Sequence, residues 1–161
     1  MNWLGAFFVV FASYLLGRAI SKDEGKLLTA VESILSLLSY MKRRMRVERT
    51  PLFAIFSDYN DAFLEENGFL DILRSHREGL TGLWNDAIKH LKLEKETERE
   101  CLRFGESLGQ LSLDEQITRL DTLSDFLTER RNELQKSLPD KQKSIKTVCL
   151  LLGLVTAIIL L

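Results

Sequence analysis

The sequence predicts an all-α protein: a cytoplasmic helical bundle flanked by an N-terminal and a short C-terminal transmembrane helix. Three observations carry that prediction. All 22 Lys and Arg and all 23 Asp and Glu lie between Arg18 and Lys146, so a charged middle stands between two uncharged ends of the 161-residue chain. In the middle, apolar residues recur at spacings of three and four, the period of one helix face. No run of strand length alternates apolar with polar side chains between strand-like boundaries. The averages, 45% hydrophobic and 28% charged, conceal this division.

The first element is Trp3 to Ile20, within residues 1–20. WLGAFFVVFASYLL is apolar on every helical face, which suits a helix wholly buried or in lipid. At about 1.5 Å per residue it reaches roughly 27 Å, close to a hydrocarbon core of about 30 Å. A signal peptide fits poorly, because such peptides carry their basic residues before the apolar stretch; here Arg18, Lys22 and Lys26 follow it. At the other end, in residues 147–161, Val148 to Leu161 would reach roughly 21 Å as a helix. Ile145 and the stems of Lys143 and Lys146 can lengthen it. Its basic flank, Lys141, Lys143 and Lys146, precedes it. Both ends therefore turn their positive charge toward residues 21–146, which the positive-inside rule keeps in the cytoplasm as the loop of a hairpin. The competing arrangement is a soluble bundle with both ends as core helices.

The middle opens with Ser21 and Glu24, spaced as a capping box. Leu27, Leu28, Val31, Ile34, Leu35, Leu38, Met41 and Met45 then lay one apolar stripe along a helix. In RTPLFAIF, Thr50 is placed to cap and Pro51 to occupy the first helical position, with the helix running to about Glu66. Asn67-Gly68 stops it. FLDILRSHR and LTGLWNDAIKHL read as two shorter helices, and LEKETERECLRFGESLG as a charged one that stops at Leu108-Gly109. Ser112 and Glu115 form a second capping box, after which Leu113, Ile117, Leu120, Leu127, Leu134 and Leu138 follow a coiled-coil period with Ser124 and Arg131 in the seam. Pro139 is expected to kink that helix where the bundle meets the membrane.

Little in the chain points to catalysis. Neither His76 nor His90 belongs to a Glu-x-x-His pair of the kind that builds di-metal sites in bundles. Asp86 and His90 share a helix face, a spacing typical of a surface contact. Phosphate-cradling loops are missing from the sequence, and GESLG at residues 105–109, although it spells GxSxG, follows a helical stretch and no strand, so it makes no nucleophile elbow. Cys101 and Cys149 belong to neither a disulfide framework nor a Cys/His metal spacing. The reading is of a non-enzyme without cofactor, metal or small-molecule substrate. A net charge of −1 argues against nucleic-acid binding by the whole chain. The densest basic cluster is MKRRMRVERT: Lys42, Arg43, Arg44, Arg46 and Arg49. It suits a solvated helix C-terminus, an anionic-lipid patch or a docking surface for an acidic partner. If the helix from Ser21 to Met45 stands upright on the membrane, its length of about 36 Å holds the cluster beyond a Debye length of roughly 10 Å, which favours the partner over the lipid. The charges have no aromatic platform interleaved with them for stacking bases.

Taken together, the N-terminal membrane segment, the Thr-Pro-Leu turn (Thr50, Pro51, Leu52), Trp84 in a mid-chain helix, LRFGESLG (Phe104, Gly105, Leu108, Gly109) before a long amphipathic helix, and the short apolar tail resemble the stage III sporulation protein AB family of endospore-forming bacteria. The resemblance covers the whole chain and is most specific at FGESLG with the helix and tail beyond it. It implies packing roles for those eight residues. It also implies a non-catalytic platform in the mother-cell membrane facing the forespore, multi-pass, with its central domain in the cytoplasm. Family members are similar to the inner-membrane platform protein of type II secretion and type IV pilus systems, so the implied partners are a separate secretion-type ATPase, other membrane subunits of a channel, and the bilayer. One departure stands out: the family tends to be acidic just before the Thr-Pro turn, whereas this chain has KRRMR. The alternative function is a free-standing membrane-anchored coiled-coil adaptor or spacer, with Leu113 to Leu138 paired to its copy in a second chain.

Overall fold

The computed structural model describes residues 25–75 and 79–160, with side chains except at positions 138, 140–146, 149–150 and 152–160. The apolar segment Trp3–Ile20, the Ser21–Glu24 capping box and His76 lie outside the described residues, as do the side chains of most of the apolar tail. The chain divides into two compact units, Thr29–Arg131 and Met1–Leu28 with Asn132–Leu161. The described residues form helices and turns with no strand among them, so the all-α expectation holds. Among the described residues, no helix is long and apolar enough to cross a membrane.

Helix α1 is described from position 25 to 43. Of its predicted stripe, Val31, Ile34, Leu38 and Met41 are fully buried and Leu27, Leu28 and Leu35 half-buried, while Ala30 and Leu37 widen the buried face. The helix gives way to a five-residue π-helical turn, Arg44–Glu48, in which Met45 is still buried. There the Arg44 carbonyl accepts from the N–H of Arg49, which has φ 51, and from that of Thr50 at 3.4 Å. Wider hydrogen-bonded rings of this sort mark a π-bulge.

Two expectations fail in the next stretch. Helix α2 is Leu52–Asp58, and Pro51 flanks it with φ −59 and ψ 145, so proline is the capping residue and no side-chain cap bond forms. Thr50 thus falls one position too early to cap. The helix also stops well short of Glu66. Tyr59 is extended, and Asp61 takes the Leu64 N–H on its carboxylate at 2.9 Å to start a separate helix, α3, Ala62–Glu66. A short acidic side chain that offers the backbone a local hydrogen bond breaks one helix and begins another. Arg74 completes the break: it donates to the Phe56 carbonyl at 3.1 Å, to the Tyr59 carbonyl and to Asn60 Oδ1 at 3.0 Å. These are the carbonyls that a helix C-terminus leaves without partners.

Gly68, at φ 71, performs the stop predicted for Asn67-Gly68 and leads into α4, Phe69–Arg74. Helices α5, Leu80–His90, and α6, Lys95–Glu106, follow. The second ends earlier than predicted, because residues 107–110 form a turn that reverses at Gly109, φ 77. Trp84 is the centre of the core. Its ring is 5.3 Å from Phe104 and 5.7 Å from Phe69, both edge-on, and 6.4 Å from Phe56, while its indole N–H donates to the Cys101 carbonyl at 2.8 Å. Edge-to-face packing and a satisfied N–H are what a buried tryptophan requires.

Helix α7 runs Leu113–Leu160 and carries Pro139 inside it, so the proline does not end the helix. The Ser112–Glu115 box forms as predicted: Glu115 Oε2 accepts from the Ser112 N–H at 3.2 Å and from its hydroxyl at 2.7 Å, and the Glu115 N–H reaches Ser112 Oγ at 3.4 Å. Of the predicted seam, Ile117, Leu120, Leu127 and Leu134 are buried, joined by Leu123; Leu113 is 38% exposed.

Candidate interaction surface

Two sets of residues singled out in the sequence meet structural tests of different kinds. The motif residues are packing residues. A Cβ at Gly105 would fall 2.7 Å from Asn85 Oδ1 and 3.2 Å from Trp84 Cγ, so α6 can lie this close to α5 only with glycine there. A Cβ at Gly109 would sit 3.2 Å from Leu80 and 3.9 Å from Leu52, which brings the Thr-Pro-Leu turn and the FGESLG turn to one place. Phe104 and Leu108 are buried, Leu52 and Thr50 half-buried, and Pro51 exposed.

The basic cluster divides. Lys42 forms an ion pair and hydrogen bond with Asp121 of α7. Arg44 is held by Glu48 within its own turn and by Asp58 of α2 at 2.7 Å. Arg43, Arg46 and Arg49 are exposed and form no ion pair among the described residues. The sequence places all five side by side, and only the fold shows which are committed to internal acids.

Tyr40 organises the turn. The guanidinium carbons of Arg43 and Arg44 each lie 5.8 Å from its ring centroid, within cation–π range, and the Tyr59 ring is 5.1 Å away. Burial, then repulsion from Asp61, pushes the Tyr59 hydroxyl up to about 12 against an opposing hydrogen bond with Ser36. Val47, in the same turn, is 74% exposed, the most exposed large apolar side chain among the described residues.

His90 Nδ1 lies 3.0 Å from the backbone oxygen of Asp86, whose carboxylate faces Lys89 at 3.6 Å, so no carboxylate–imidazole pair forms. Burial pushes the Cys101 thiol up to about 12, with Glu100 and Glu98 adding to the effect, which makes it an inert core group. Two residues with organising roles, Tyr40 and Arg74, were not distinguished by the sequence, and a tyrosine three residues before an arginine pair was the only available hint.

No curated protein and no solved structure matches the chain. The family comparison does: the stage III sporulation protein AB family matches residues 2–161, nearly the full length and including every motif residue above, and the chain belongs to that family.

Proposed function

We propose that the chain is a membrane-anchored, non-catalytic platform subunit of a secretion-like channel complex between mother cell and forespore, and that its helical body docks a separate ATPase. The family indicates a role in sporulation. The observation that carries the finer reading is the basic end of α1: three exposed guanidinium groups form no ion pair with an acid among the described residues, on a chain of net charge −1. Cations left unpaired on a folded surface are available to steer and hold an acidic partner. The apolar ends Trp3–Ile20 and Val148–Leu161 are the proposed anchors, which would hold the body at the mother-cell membrane on its cytoplasmic side.

The adaptor alternative requires the α7 seam to be free for a second copy. Ile117, Leu120, Leu123 and Leu127 are already buried within a single chain, which favours the platform. The deciding experiment is purification from membranes. The full chain should stay with the membrane fraction after an alkaline carbonate wash, and in detergent it should copurify with a secretion-type ATPase encoded beside it. A chain released by the wash as a soluble monomer would remove the platform. Cysteines introduced along α7 that cross-link mainly between identical chains would favour the spacer instead.

A further inference from the structure

We propose that the π turn that follows α1, with the residues on either side of it, forms a seat for one acidic protein segment, built from Arg43, Arg46 and Arg49 around the exposed Val47, and that Lys42 and Arg44 are struts of the fold outside that seat. This rests on the platform reading and narrows it to a contact of stated chemistry: carboxylates flanking an apolar side chain.

Five cations adjacent in sequence are unequal in what they can offer. To engage a partner, Lys42 would have to leave Asp121, and Arg44 would have to leave both Glu48 and Asp58. Whatever the new pairing gains is then offset by the internal pairing it replaces. Arg43, Arg46 and Arg49 have no such pairing to give up among the described residues. Arg43 is also restrained by the Tyr40 ring, so less side-chain freedom remains to be lost on binding. The backbone beneath is a π turn closed by the left-handed Arg49.

Val47 supplies the specificity. An isolated exposed valine is ordinary on a protein surface. This one lies within the exposed run of residues 46–49 and four residues after the exposed Arg43, so cations flank it on the solvent side of the turn. An occupant that neutralised the three guanidiniums and ignored Val47 would leave apolar surface in water. Guanidinium forks match planar carboxylates in paired hydrogen bonds better than lysine would.

Phosphate shares that chemistry, and an anionic membrane surface is the natural competitor. A flat surface, however, would also meet Glu48 and Asp58, both exposed beside Arg44, whereas a single narrow segment can avoid them. Nucleic acid would look for an open aromatic face; here Tyr59 is buried and its ring lies against that of Tyr40.

The test uses the full chain in nanodiscs of zwitterionic lipid, titrated with the ATPase encoded beside it at low and high salt. The same chain is compared on vesicles with and without phosphatidylglycerol. Replacing all three exposed arginines by glutamine (R43Q, R46Q, R49Q) should weaken ATPase binding by about tenfold or more and remove most of its salt dependence. Val47→Ser should weaken it several-fold and leave the salt dependence unchanged. The double change Lys42→Gln with Asp121→Asn should keep affinity within about twofold while lowering the urea midpoint, which also shows that instability alone does not abolish binding. The seat is overturned if the triple variant, shown folded by its thermal melt, binds the ATPase as the native chain does. It is also overturned if the triple variant loses only its attachment to phosphatidylglycerol vesicles. A native chain that binds no ATPase at all overturns the platform reading itself, and the seat with it.

Discussion

Gly105 has a role that composition could not reveal, since a glycine inside a helix is ordinarily a weak point. Its missing Cβ is what lets α6 rest on the Trp84 ring and the Asn85 amide. Gly105→Ala should therefore destabilise the bundle despite the better helix propensity of alanine. The overpacking is worth about 1–3 kcal/mol, against roughly 1 kcal/mol gained in propensity. A urea titration checks it, and an unchanged or higher midpoint would show that the α5–α6 seam can relax. The same scale shows what the sequence concealed about the basic cluster. Lys42 and Arg43 are neighbours of like charge; only the placement of Asp121, 79 residues away, makes the first structural and leaves the second exposed. No local pattern encodes a pairing over that distance.

Among the elements, the long helices were legible, and of the short ones α4 was while the break between α2 and α3 was not. The stripe from Val31 to Met45 and the one from Ile117 to Leu134 repeat over several turns, so tertiary packing and local period agree. Helices α2 and α3 are too short to show a period, and their boundary depends on Asp61 capping and on Arg74 arriving from α4. The capping box that opens α7 was legible because its signal lies within four residues. Hydrogen bonds from Ser112 hold the Glu115 carboxyl below the usual carboxylate range. Replacing Ser112 by alanine should cost about 0.5–2 kcal/mol, read as a lower thermal midpoint. Any loss confined to regions outside α7, followed by amide exchange, would contradict the assignment.

At the scale of the whole molecule, the two strongly shifted groups among the described residues point to the same pH window. Tyr59 and Cys101 both stay protonated in the fold up to about 12. An unfolded chain releases these protons at about 10 and about 8.5 respectively. Between those values and 12 the unfolded state binds fewer protons than the native one, so stability is complete below the unfolded pKa values and falls as pH rises. The urea midpoint should decline from pH 8 to pH 10.5, and Tyr59→Phe should flatten part of that decline; a midpoint level across the range would mean that neither group is shielded as described. The position of Trp84 also makes the molecule easy to follow. The chain has two tryptophans, Trp3 and Trp84. With Trp3 changed to phenylalanine, all indole fluorescence would come from a ring fully shut away from water and tethered to the Cys101 carbonyl. Its emission colour then becomes an intrinsic optical gauge of whether α5 and α6 are still joined, usable in detergent or lipid without attaching a dye.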